Sequence, residues 1–321
     1  MDLLAASLEL RASQVKRLGH EIGFDDVGIA PAGPYPEMQF FGEWLENGYH
    51  GDMKYMFRHR RRRMEPDRTL RGVKNVIVCA LDYDTDAPRS VEFPEEPDVG
   101  WISRYAWGDD YHNVMEPMLE SWVQALKDAA PGHAFRHYVD HGPVLEKVFA
   151  RYAGIGWMGK HTNIIHPKRG SYFFLAVILT DLEMATDSPM LDHCGSCTAC
   201  LDACPTQAFV KPYVLDARRC LSYLNIEQEG PVSEPYSQEM GSQIYGCDIC
   251  QDVCPWNRKP QPPNRPEFRA REGLFRPSLD ALAELSEAEF QERFSGSPIE
   301  RRGRDGLLAV VSQVREQRED S

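Results

Sequence analysis

The stretch HCGSCTACLDACPT at residues 193–206 carries four cysteines, and GCDICQDVCPW at 246–256 repeats the pattern with three. Cys194, Cys197, Cys200 and Cys204, followed by Pro205, fit C-x2-C-x2-C-x3-C-P, the spacing with which bacterial ferredoxins hold iron–sulfur clusters. Two-residue gaps let three thiolates of one loop reach three corners of a cubane. The longer step turns the fourth sulfur toward a second cluster. Zinc needs only C-x2-C pairs and gives no reason for three in a row with a trailing Cys-Pro. Ligand crossing assigns Cys254 to the first cluster with Cys194, Cys197 and Cys200. The second then holds Cys204, Cys247 and Cys250 and is one ligand short. Cys220, in ARRCLSYL, is the one free cysteine between the runs and completes it by elimination. The remaining cysteine, Cys79, lies in the apolar run VIVCAL at 76–81 and reads as a buried structural thiol. Clusters fully ligated by cysteine leave no iron open to a substrate, so their role is to pass single electrons onward.

Upstream of the cysteines, residues 1–185 alternate helical and extended patterns. A helix is expected near 4–21, with Leu4, Leu8, Val15, Leu18 and Ile22 on one face. A short apolar run at 27–30 follows, then a helix near 36–46 stopped by Asn47-Gly48. Buried strands are expected at 76–81 and 171–180, an extended segment at 135–139, and helices over 114–129 and 144–152. Helices mixed with strands argue for an α+β unit, a sheet covered by helices. Residues 186–262 form a smaller loop-rich unit that holds both clusters. A proline-rich linker at 259–266 leads into the last part, 263–321, which carries helices near 278–294 and 303–317.

The formal net charge of −13 opposes non-specific binding to a polyanion, so any nucleic-acid contact must be local. Arg58-His59-Arg60-Arg61-Arg62-Arg63 is the obvious candidate, with a second basic group at Arg301, Arg302 and Arg304. A solvated charged face is the plain alternative. The N-terminus lacks the basic start and apolar run of a signal peptide, and no apolar stretch reaches about 18 residues. A cytoplasmic protein without membrane association is expected.

Gly154-Ile-Gly-Trp-Met-Gly159 matches the dinucleotide fingerprint G-x-G-x-x-G, which works only between a strand and a helix. Here the preceding PVLEKVFARYA is helical, so the glycines are expected to end that helix and to admit a close backbone approach.

Taken together, the two cysteine runs, Cys220 and the large unit before them resemble the epoxyqueuosine reductase family. The resemblance is carried further by SRYAWGDDYH at 103–112, YVDHGPVLEK at 138–147, GIGWMGKHTNIIHPKRGSYFFLAVILTDL at 154–182 and FSGSPIERRGRDGLL at 294–308. It implies a nitroreductase-like cobalamin-binding domain, a ferredoxin-like domain with two [4Fe-4S] clusters, and a short helical C-terminal tail, a truncated helical-repeat region. It also implies reduction of the epoxide of epoxyqueuosine in tRNA, by a monomer supplied by an external low-potential electron donor. A reductive dehalogenase-like enzyme and a ferredoxin-type electron-transfer module are the alternatives. His161 departs from the asparagine usual in the family.

The resemblance places the general acid at Asp140. Opening an epoxide and expelling its oxygen as water requires proton delivery, and a carboxyl group in a desolvated pocket can stay protonated for that task. Read from the residues alone, Asp140 is equally a turn aspartate before His141-Gly142-Pro143. The family positions for cobalamin contact fall on Arg63, Ser103, Asp140, Ile164 and Ser222, and Tyr105 and His112 are further polar candidates. No Asp-x-His-x-x-Gly motif occurs, so no protein histidine on cobalt is expected.

Overall fold

The computed structural model describes residues 2–93, 96–258 and 265–319. At its centre four antiparallel strands run in the order Asp26–Pro31, Asn75–Asp82, Phe173–Thr180, Phe135–Val139. Strand Asn75–Asp82 is buried along its whole length because its alternate side chains enter two different cores. Ile77, Cys79 and Leu81 join Val15, Leu119 and Trp122, whereas Val76, Val78 and Ala80 join Phe149 and Ala153. A strand covered on both faces shows a continuous apolar run, and both central strands read that way in the sequence. Helices Asp2–Ile22 and Tyr111–Ala129 cover one face and Glu146–Tyr152 the other. A Cβ at Gly28 would lie 2.0 Å from the Ala153 carbonyl oxygen, so glycine alone lets the helix end rest on the edge strand. The side chains of Leu4 and Leu8 lie outside the described residues, as does 259–264 of the proline-rich stretch.

The helix expected from 144 begins at Glu146 and the strand expected from 171 at Phe173; two further departures each have a capping reason. The helix expected from 114 begins at Tyr111, because Asp110 accepts the His112 N–H at 2.9 Å as N-cap. The single helix expected over 278–294 is two, Leu279–Ala283 and Glu287–Phe294. Ser286 starts the second through a capping box, its hydroxyl accepting the Glu289 N–H while Glu289 accepts the Ser286 N–H at 2.8 Å.

The C-terminal helices share a core with the middle of the chain. In Gly303–Glu319, Leu307, Val310, Val311 and Val314 occupy one helical face and pack with Trp101, Ile102, Leu224 and Tyr245. Each such burial contributes about 1.5–3 kcal/mol. Strand Gln243–Tyr245 pairs in parallel with Trp101–Ile102, which fixes the start of the second cysteine run against the larger unit. Among the described residues no helix is long and apolar enough to cross a membrane.

Candidate functional site

Asp140 follows strand Phe135–Val139 with φ of 55°, a left-handed conformation that aspartate tolerates better than most residues. The turn behind it is tight: a Cβ at Gly142 would lie 2.4 Å from the Tyr138 ring. Asp140 Oδ2 accepts the Tyr111 hydroxyl at 2.7 Å, and the Tyr111 ring stacks on Phe174 of the sheet at 4.3 Å. The Asp140 carboxylate lies within electrostatic reach of Tyr55, Arg63, Tyr105, His112, Glu146 and Lys147. Polar side chains from several segments, Arg301 among them, therefore surround one carboxylate.

These side chains line a recess. Lys147 is exposed to solvent although the surrounding protein is dense, as for a side chain inside a recess. Burial holds its pKa down, while Asp140, Cys250, Glu146 and Cys220 pull it back up. Its ammonium donates to Asn163 Oδ1 at 2.7 Å, and the Asn163 N–H donates to His161 Nδ1 at 3.2 Å. His161 is buried, and burial, assisted by the Lys147 charge, lowers it to about 4, so its ring is neutral. Burial raises Glu146 to about 8, with Asp140 adding to the rise and Arg63 and Lys147 opposing it. Three buried polar atoms here, Arg63 Nη1, Glu146 Oε1 and His161 Nε2, have no hydrogen-bond partner within the protein. Groups of this kind are costly unless a ligand or water satisfies them.

The eight clustered cysteines fall into two neighbourhoods. Burial raises Cys200 to about 11, and the thiols that add to this are Cys254, Cys194 and Cys197. Burial also raises Cys250, with Cys247, Cys220, Cys204 and then Cys200 adding. Cys247 in turn has Cys220 and Cys204 as neighbours. Among the described residues no three ligand-type side chains converge on one point, as they would around a single ion. Thiolates that each bind a different corner of a cubane stand further apart than that. Backbone N–H groups lie near the sulfurs: Ala208 donates to Cys204 Sγ at 3.3 Å. Burial raises the Cys220 and Cys254 thiols, while the N–H groups of Ser222 and Tyr223 lower the first and those of Trp256 and Asn257 the second. Such bonds favour the thiolate and tune a cluster's potential. The Lys160 ammonium ties the first loop by donating to the carbonyls of Gly195 and Cys197 at 2.7 and 2.8 Å.

Side chains between the cysteines bolt the second run to the sheet unit, and the sequence reading missed them. Asp248 accepts the Ser103 hydroxyl and the Arg104 N–H, the latter at 2.7 Å. Asp252 accepts from Tyr172 and from the Ser90 N–H at 2.9 Å. Asn257 accepts the Ser171 N–H at 2.7 Å and donates to Ser171 Oγ at 2.9 Å. All three are buried, which is rare for aspartate and was the one available signal: polar residues at fixed offsets inside a ligand loop.

The remaining sequence candidates sort as follows. Arg63 is buried and faces Asp140 and Glu146, whereas Arg58, Arg61 and Arg62 are exposed and Arg60 stacks over Phe57 at 4.6 Å. Ser222 sits beside Cys220, where its hydroxyl and N–H both favour the Cys220 thiolate. Ile164 is buried in the short hairpin opposite Met158. Ser103 commits its hydroxyl to Asp248, its N–H to the Tyr245 carbonyl and its carbonyl to the Ala106 N–H, leaving only its surface for a ligand. Tyr105 is pushed up by burial, then by Tyr245. His112 is pulled down by burial but raised overall by its 2.8 Å contact with Asp110. The second basic group is structural: Arg301 pairs with Glu227, Arg302 donates to the carbonyls of Gln228 and Gly230, and Arg304 to that of Leu285. The Gly154–Gly159 stretch follows helix Glu146–Tyr152 and leads into the hairpin Trp157–Met158/Ile164–Ile165. A Cβ at Gly156 would lie 2.3 Å from the Ile165 carbonyl oxygen, so the close approach is to a neighbouring strand.

Comparison with known proteins agrees with this geometry. Residues 63–141 match the family model described as epoxyqueuosine reductase QueG, DUF1730, and residues 193–257 match a 4Fe-4S double cluster binding domain. The epoxyqueuosine reductase of Pseudomonas aeruginosa is 41% identical over 92% of this chain and 82% of its own. That of Escherichia coli is 40% identical over 91% and 77%. Among solved structures, epoxyqueuosine reductase with an epoxyqueuosine-modified tRNA-Tyr stem loop superposes with a TM-score of 0.85 at 30% identity, covering 96% of this chain and 82% of the other. The Bacillus subtilis epoxyqueuosine reductase, solved with an aspartate-bearing catalytic loop swung out of its active site, gives a TM-score of 0.83 at 30% identity, with the same coverage. With identity at this level along nearly its whole length, and the cluster loops and Asp140 turn built as described, this chain belongs to the epoxyqueuosine reductase family.

Proposed function

We propose that the protein reduces the epoxide of epoxyqueuosine in tRNA to the alkene of queuosine, with two [4Fe-4S] clusters and cobalamin as cofactors. The observation that carries this reading is Lys147, whose ammonium lies within electrostatic reach of both Asp140 and the Cys220 and Cys250 thiols. A proton-handling group and an electron-handling loop thus open onto one recess. In this reading Cys194, Cys197, Cys200 and Cys254 hold the first cluster, and Cys204, Cys220, Cys247 and Cys250 the second. Residues 1–185 hold the cobalamin, 186–262 the clusters, and 263–321 complete the chain as linker and helices.

The recess suits a large cofactor edged with amides. Its unpartnered buried atoms include donors at Arg63 and His161 and an oxygen at Glu146. Arg63, Ser103, Asp140, Ile164 and Ser222 would border the group, with Ser103 and Ile164 supplying surface and Arg63 supplying hydrogen bonds. Cobalamin, when bound, supplies a low-valent metal able to give electrons to a carbon–oxygen bond. Asp140 supplies a proton to the departing oxygen, and Tyr111 holds that carboxyl in position. The left-handed turn lets Asp140 project beyond the strand end, where a substrate oxygen can meet it.

An external low-potential donor feeds the clusters, and the exposed basic run Arg58 to Arg62 supplies a local grip on tRNA against an acidic whole. The deciding experiment is anaerobic reconstitution with iron, sulfide and cobalamin, then incubation with a low-potential one-electron reductant and nucleoside analysis of epoxyqueuosine-containing tRNA. Queuosine should appear only when all three are supplied. Cobalamin uptake without queuosine formation would turn the reading toward reduction of small molecules.

A further inference from the structure

Converting an epoxide to an alkene and water breaks two carbon–oxygen bonds, forms one carbon–carbon π bond and consumes two electrons and two protons. An external one-electron reductant supplies the electrons singly through the clusters. Asp140 carries only one proton. We propose that Glu146 is the source of the second, passing it to Asp140 so that the oxygen leaves as water within one turnover. The inference rests on the epoxide reading above and deepens it.

The placement of Glu146 supports this role. It lies six residues beyond Asp140 on one continuous strand, turn and helix, and the tight Gly142 turn keeps the two carboxyl groups in each other's field. Its Oε1 is buried and makes no hydrogen bond within the protein, so no structural partner accounts for it. A buried carboxylate with no hydrogen bond at one oxygen would be costly, whereas a carboxylic acid facing another carboxylate is favoured. The charged and titratable groups facing it are Asp140 from the turn, Arg63 from helix Arg60–Met64 and Lys147 from its own helix. Tyr55, from helix Lys54–Arg58, faces Arg63 and Asp140. Arg63 and Lys147 oppose the rise of Glu146. The direction of the Glu146 shift, up to about 8, agrees: at neutral pH the group holds a proton ready to give. Tyr111 is a poor substitute, because burial and Asp140 push its hydroxyl far above the usual phenol range. His112 also faces Asp140 and is the competing donor.

The test compares the reconstituted holoenzyme with Glu146→Gln, Glu146→Asp and His112→Gln, measuring single-turnover conversion of epoxyqueuosine-containing tRNA against pH. Iron content, cobalamin content and tRNA affinity are measured alongside. The expected result is an alkaline limb near pH 8 in the wild type that moves acidward by about one unit or more in Glu146→Gln and is largely restored in Glu146→Asp. Infrared difference spectra of the substrate-free holoenzyme should show a buried carboxylic acid band that titrates near 8 and is missing from Glu146→Gln. A Glu146→Gln profile that superimposes on the wild type, or an acidward shift confined to His112→Gln, overturns the proposal while leaving the epoxide reading intact. A wild type that binds its cofactors but leaves the epoxide untouched overturns the reading and the proposal with it.

Discussion

The Tyr111 hydroxyl donates to Asp140 Oδ2 at 2.7 Å, joining the first turn of one helix to the residue that follows the neighbouring strand. The two residues are 29 apart in sequence, and each is held from behind: Tyr111 by Phe174, and Asp140 by the turn that packs on Tyr138. If Asp140 is the acid, Asp140→Asn should lower single-turnover conversion by about 100- to 10,000-fold with iron, cobalamin and tRNA binding retained. Tyr111→Phe, which removes only the orienting bond, should cost about tenfold. Equal losses in the two variants would show that Tyr111 does more than orient.

Cys220 should be indispensable to the second cluster and irrelevant to the first. Cys220→Ser, reconstituted anaerobically, should drop from about eight iron atoms per chain to about four. Cys79→Ser should keep its full iron content, because Cys79 is fully buried in the sheet. Its penalty is structural, since a hydroxyl replaces a buried thiol, and it is read in the thermal midpoint.

Acid should destabilise the protein partly through His161. Its folded pKa of about 4 lies below the unfolded value near 6.5, so the neutral ring contributes stability that is complete above the unfolded value. That stability is lost as pH falls from about 6.5 toward 4, at about 1.4 kcal/mol per unit. His161→Asn removes the titration. Its thermal midpoint should therefore fall less between pH 7 and pH 5 than that of the wild type. An identical fall in both would remove His161 from the acid response.

The bolts between the cluster loop and the sheet should matter to metal retention. Asn257→Ala leaves the Ser171 N–H unpaired at a buried site, a cost of about 1–3 kcal/mol, while the Ser171 hydroxyl keeps its bond to Gln251. Because Asn257 lies three residues past Cys254, the variant should lose iron to a chelator faster than the wild type. Unchanged chelation kinetics would mean that the loop is held by its metal alone.

The two basic groups should respond differently to charge reversal. Replacing the exposed Arg61 and Arg62 by glutamate should weaken tRNA binding and lower the slope of log affinity against log salt by about one to two. Arg301→Glu should instead lower the thermal midpoint, because it faces Glu227. A salt slope unchanged by the Arg61 and Arg62 reversal would return that run to a merely solvated face.

Much of this architecture is legible in the sequence, because the elements that matter have strong local signals. Both long buried strands announce themselves as apolar runs, the Asn47-Gly48 stop is where the helix Pro36–Glu46 ends, and the cysteine spacing carries its own chemistry. The single helix expected over 278–294 failed because a capping box at Ser286 outweighs a continuous helical pattern. What the sequence hides is long-range. Asp248 and Asp252 look like solvated loop residues until Ser103, Arg104, Ser90 and Tyr172 arrive from more than 70 positions away. Glu146 was invisible for a related reason: Asp140 is near in sequence, but Arg63 arrives from 83 positions away.

The parallel pairing of Gln243–Tyr245 with Trp101–Ile102 has a consequence for how the protein matures. Cys247 lies two residues beyond that pairing, and its partner strand lies some 140 positions earlier in the chain. Contacts of such separation close slowly, because loop-closure entropy opposes them until other contacts help. The second ligand set is therefore assembled late, while the first loop, whose cysteines Cys194, Cys197 and Cys200 are neighbours in sequence, is ready early. In air, a nascent chain would present free thiols through that interval. Safe maturation thus depends on iron and sulfide arriving before oxygen does.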